Sequence, residues 1–103
     1  MEKRNEERAR KRIIARFKNG DVQITGFALN LSCHGLTLVS STVPKFKEII
    51  ISLELEDGLA EISGECLWAR KTVFTGRSMN EIGVRIAQPP ENYYRQFCAA
   101  SNM

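Results

Sequence analysis

Hydrophobic residues recur at every second position along several short stretches of the chain, the period of a half-buried strand. Ile49, Ile51, Leu53 and Leu55 share one face, while Ser52, Glu54 and Glu56 share the other. Ile13–Phe17, Val22–Leu29, Leu36–Val39, Ala60–Ala69 and Glu81–Ala87 complete a predicted set of six strands. In the fifth, Ile62, Cys66 and Trp68 fall on one face, and in the last Ile82, Val84 and Ile86 alternate. Asn19-Gly20 and Asp57-Gly58 mark tight turns, because these residues tolerate positive φ. Gly26 inside the second strand suggests a bulge or sharp bend. Residues 70–80, which include Thr75-Gly76, read as a longer loop.

Gln88-Pro89-Pro90 ends the strand pattern, since proline cannot donate to a ladder. Acidic Glu91 then precedes Tyr93/Phe97 and Tyr94/Cys98 at i,i+4, which predicts a terminal helix over about 90–101. The pattern as a whole predicts an all-β fold with a terminal helix: a small six-stranded antiparallel β-barrel with an α-helix at its end. It places residues 12–103 in the barrel domain and leaves 1–11 as a flexible basic arm, since no large apolar residue after Met1 ties that arm to a core.

Composition narrows the class. A chain of 103 residues makes one domain. No apolar run reaches the roughly 18 residues of a membrane span, and the charged start MEKRNEERARKR lacks the apolar core of a secretory signal. Cys33, Cys66 and Cys98 are odd in number and widely spaced, which argues against a disulfide framework and for a reducing cytoplasm. Cys66 and Cys98 read as core residues on apolar faces. Residues 1–18 hold eight basic residues against three acids, whereas the rest holds seven against nine. A basic arm on a mildly acidic body seeks an anion.

Catalysis is not expected. His34 is the single histidine, and its neighbour Cys33 would point to the opposite side of a strand. No second Cys or His cluster completes a nucleophilic or metal site, and no phosphate loop of the usual glycine spacing occurs. Two segments exceed what folding requires. One is Arg8-Ala9-Arg10-Lys11-Arg12, with guanidinium forks suited to phosphate and guanine edges. The other is Asn30-Leu31-Ser32-Cys33-His34-Gly35, a polar turn between two strands.

Together these segments resemble the PilZ domain family, whose pattern is Arg-x-x-x-Arg followed by Asp/Asn-x-Ser-x-x-Gly. Gly64-Glu65-Cys66-Leu67-Trp68 is similar to the family's Gly-x-Val-x-Trp strand, and Glu81-Ile82-Gly83-Val84-Arg85-Ile86 to its last strand. The resemblance spans nearly the whole chain. It implies a six-stranded barrel with a C-terminal helix and binding of cyclic di-GMP, with no cofactor and no metal. Carried over by motif, Arg8 and Arg12 hold guanine and phosphate, and Asn30, Ser32 and Gly35 line the opposite side. Asn30 stands where Asp is commoner and so lacks that charge. The spacing also fits Arg4 and Arg8, so the arginine register stays open between Arg8/Arg12 and Arg4/Arg8. Trp68 is an additional candidate contact through stacking, although its apolar neighbours favour a core position.

The functional expectation is a cytoplasmic cyclic di-GMP receptor that orders its arm on binding and signals to a protein partner. One alternative is an interaction module of the same fold without nucleotide binding. Another is a small-barrel nucleic-acid binder, which the net acidic strand body and scattered aromatics disfavour.

Overall fold

Along β1 (Ile13–Asn19) buried residues alternate with more exposed ones, and β4 (Glu48–Leu55) does the same from Ile49 onward. The computed structural model describes residues 12–98. The other strands are β2 (Val22–Leu29), β3 (Gly35–Ser40), β5 (Gly58–Phe74) and β6 (Arg77–Ile86). They close into an antiparallel barrel in the order β1-β2-β3-β6-β5-β4. Its interior holds Phe17, Leu38, Ile51, Leu53, Ile62 and Ile82, each at most 2% exposed. Each such side chain contributes roughly 1.5–3 kcal/mol of burial free energy. A helical turn, α1 (Glu91–Tyr93), runs into a π-helical turn (Tyr94–Cys98). Tyr93 is fully buried and joins the same apolar cluster, so the helix is packed onto the barrel through this ring. The Tyr93 and Phe97 rings lie 4.7 Å apart, as their i,i+4 spacing predicts. The arm, residues 1–11, lies outside the described residues, as does any continuation of the helix beyond 98.

Several details depart from the pattern-based expectation. The first hairpin turns at Gly20-Asp21, with Asn19 paired to Val22, and Gly20 takes φ 71°. Asn19 remains in the strand, where its carboxamide accepts from the Lys45 amide at 2.7 Å and fixes the β3–β4 connection. Gly26 carries no bulge, because β1–β2 pairing runs through it without a shift. Its role is close approach: a Cβ there would stand 2.2 Å from the Val39 carbonyl oxygen.

The 70–80 segment is not a loop. β5 continues to Phe74, turns at Thr75-Gly76 with φ of 50° and 80°, and returns as β6 from Arg77. Positive φ at both corner residues suits the right-handed twist of the two strands. This arm reaches past the end of β3, whose last pair is Ser40 with Asn80. Near its tip, Phe74 meets Phe27 of β2 with ring centroids 5.8 Å apart. Val39, paired with Phe27, is completely buried yet lies outside the interior cluster. A second, smaller apolar contact thus sits on the outer face of the barrel.

Candidate ligand site

Asn30 leaves β2 with φ 52°, a left-handed conformation that Asn adopts more readily than most residues. The chain then folds on itself, with the Ser32 amide donating to the Gly35 carbonyl at 2.9 Å. The Ser32 hydroxyl donates to that same oxygen at 3.2 Å, and the Asn30 carboxamide reaches the Thr37 hydroxyl at 3.4 Å. Gly35 opens β3 against β6, where a Cβ would stand 2.7 Å from the Val84 carbonyl oxygen. Only glycine permits that approach without a backbone shift. From below, the Tyr93 phenol donates to the Ser32 carbonyl at 2.6 Å, and the Ile86 amide donates to the His34 carbonyl at 2.9 Å. Burial pushes the Tyr93 phenol well above its ordinary range. The phenol therefore stays protonated, and a hydrogen-bond donor, to a higher pH than an ordinary tyrosine does.

Asn30, Ser32 and Gly35 share one shallow cavity of about 370 Å³ with Trp68, Gly83 and Arg85. Asn30 and Ser32 are exposed, so their remaining donors and acceptors face solvent. Trp68 is not a core residue. A one-residue irregularity between Cys66 and Trp68 shifts the β5–β6 register and turns the indole to the outer face. There it is 46% exposed and packs over Gly83, whose hypothetical Cβ would stand 2.3 Å from the ring. Arg70 lies over the indole, its guanidinium carbon 5.3 Å from the ring centroid. Arg85 pairs with Glu65, which also meets Lys47 at 3.4 Å. The Arg85 hydrogen bond foremost holds the Glu65 carboxyl below its usual range.

Arg12 sits elsewhere. Its guanidinium lies 5.3 Å from the Phe74 ring centroid and 5.9 Å from that of Phe27, and it does not line the cavity. The β1–β2 register still ties its backbone to this end of the barrel, because Ile13 pairs with Ala28 two residues before Asn30. Arg4 and Arg8 fall outside the described residues. Sequence reasoning missed Tyr93, Gly83 and Arg85 as parts of this surface. They come from the last strand and the helix, and only the strand order brings them to the turn.

The cysteines overturn another expectation. Cys33, inside the turn, and Cys98, at the end of the π-helical turn, form a disulfide with Cα atoms 4.7 Å apart. Their separation of 65 residues hid a proximity created by barrel closure. Cys66 is the free thiol among them, half-buried, and burial raises its pKa. Among the described residues, no group of three or more His, Cys, Asp or Glu side chains is gathered for a metal ion. Nor is any described helix long and apolar enough to cross a membrane.

Two solved structures share this fold. The PilZ domain of YcgR from Escherichia coli, solved with c-di-GMP, superposes with a TM-score of 0.62 at 13% identity over 84% of this chain and 76% of that one. The PlzA protein of Borreliella burgdorferi, solved in complex with c-di-GMP, gives a TM-score of 0.64 at 15% identity. That match covers 99% of this chain, which spans 48% of PlzA. No curated protein matches the sequence. The PilZ domain model matches residues 2–99 and therefore takes in both motifs, the barrel and the helix. By that match the chain belongs to the PilZ domain family.

Proposed function

We propose that this chain is a cytoplasmic receptor domain for cyclic di-GMP, without catalysis of its own. The reading rests on the joint placement of Asn30, Ser32 and Gly35 beside an exposed indole on one surface of a PilZ domain. Such a surface offers a base what it needs: amide and hydroxyl groups for its edge and an aromatic ring for its face. The ligand's phosphates call for cations, which the Arg-x-x-x-Arg segment supplies from the N-terminal arm. Binding then orders residues 1–11 against the barrel and presents a new surface to a protein partner.

Isothermal titration with cyclic di-GMP tests this, with GTP and cyclic di-AMP as controls. Saturable binding of cyclic di-GMP alone is expected, and no heat with any nucleotide refutes the reading. Arg8→Ala is expected to weaken binding by about 1.5–3 kcal/mol, the range for a charge-assisted hydrogen bond. Arg12→Ala decides the register. Its guanidinium rests on two rings in the free protein, so engagement of the ligand requires it to leave them. A comparable loss selects Arg8/Arg12, whereas losses in Arg4→Ala and Arg8→Ala alone select the other pair.

A further inference from the structure

The residue between Ser32 and the His34-Gly35 end of the polar turn is a cysteine, and it is covalently tied to the terminal helix. Two hydrogen bonds flank it: Tyr93 donates to the Ser32 carbonyl, and Ile86 donates to the His34 carbonyl. These bonds hold the backbone on both sides of Cys33 independently of the crosslink. The Tyr93 bond also ties the helix that carries Cys98 to the turn, an arrangement that favours re-formation of the pair on oxidation. The members differ in access, since Cys33 is half-buried while Cys98 is 1% exposed. An external thiol or disulfide meets Cys33 first, and Cys98 is placed to resolve the product.

We propose that Cys33 and Cys98 form a reversible redox site that tunes the affinity of the 30–35 turn for its nucleotide, the disulfide binding more tightly than the dithiol. The proposal rests on the reading of this turn as part of a cyclic di-GMP site. Its physical basis is preorganisation. A turn pinned at its centre loses less conformational freedom on binding than one pinned only at its flanks. The oxidant is a low-molecular-weight disulfide. The Cys33 thiolate attacks one of its sulfurs, forming a mixed disulfide and expelling one thiolate. The Cys98 thiolate then attacks the Cys33 sulfur and expels the second. Two cysteine thiols are oxidised to one disulfide, the reagent is reduced to two thiols, and the two cysteine protons pass to the expelled thiolates. An excess of small thiol reverses each step.

The full chain is prepared in two forms, one reduced with a phosphine and one oxidised with oxidised glutathione. Alkylation with peptide mapping reads the thiols, thermal melting reads stability, and titration calorimetry with cyclic di-GMP reads affinity. Expected are three alkylated cysteines after reduction and Cys66 alone after oxidation. The oxidised form should melt roughly 10 °C or more above the reduced one, because a long closed loop is constrained. It should bind about 3–10-fold more tightly, through the ordering no longer required. Reduced Cys98→Ser should bind like reduced wild type, and oxidised glutathione should leave it as a Cys33 mixed disulfide without the tighter binding, while Cys66→Ser should keep the redox difference. Three alkylatable thiols after oxidation overturn the proposal. So does a confirmed disulfide whose affinity equals that of the dithiol within about two-fold, on the same estimate. Binding in neither form overturns the ligand reading and the tuning with it. That outcome differs visibly from failure of the switch alone, which leaves binding intact and equal.

Discussion

Gly83 has no room for a methyl group, because the indole of Trp68 occupies the space a Cβ would take. Gly83→Ala is therefore expected to dislodge the indole and cost about 1–3 kcal/mol, the usual range for overpacking. Trp68 is the single tryptophan, so its fluorescence reports the displacement directly and a solvent-like emission shift should accompany the loss. Tyr93 makes a different prediction, one of pH. Its buried phenol ionises far above the ordinary value of 10.0, whereas an unfolded chain releases that proton near the ordinary value. The native advantage is thus complete below pH 10 and declines as pH rises toward the raised native value. Tyr93→Phe removes both the phenol and its hydrogen bond to Ser32. Wild type should be more stable than the variant by about 0.5–1.5 kcal/mol at pH 8, and that margin should shrink above pH 10 in denaturant titrations.

The β5–β6 arm is the element whose behaviour is least like that of the barrel. Its tip is anchored by Phe74 on Phe27, with Arg12 over both rings. Phe74→Ala is expected to cost roughly 1–2 kcal/mol, less than a core phenylalanine because the ring is only half-buried. The laddered amides of Thr72 and Arg77 should then exchange faster, while those of β4 stay protected. The same arm shows where sequence reading stopped. β4 is legible because one face is buried, so apolar and polar residues alternate. From Arg70 to Thr75 neither face is fully buried, so no alternation was selected and the segment passed for a loop. The shift between Cys66 and Trp68 was equally silent, because one inserted residue leaves composition unchanged while reversing which face the indole joins. Asn30, Ser32 and Gly35 were legible as a group because a single turn holds all three. Cys98 and Tyr93 reach that turn from the far end of the chain, and local spacing carries no trace of such a meeting.

At the scale of the molecule, strand order decides what is shared. The β3–β6 pairing brings the turn after β2 beside a strand some fifty residues later, and the surface with Asn30, Trp68 and Arg85 exists only through that pairing. Closure also means that the strands of the ring have neighbours on both sides, whereas the far part of the arm does not. Among the described residues, β5 beyond Trp68 pairs with β6 alone, and β6 before Asn80 pairs with β5 alone. Among the described residues, the arm thus offers two short stretches of main-chain amides and carbonyls with no partner strand, the kind of template on which fibrils grow. Lys71 and Arg77 stand on these stretches, so a second copy laid alongside meets like charge. Raising the salt concentration screens those cations, so self-association along this edge is expected to increase with ionic strength, as light scattering over a salt series would read.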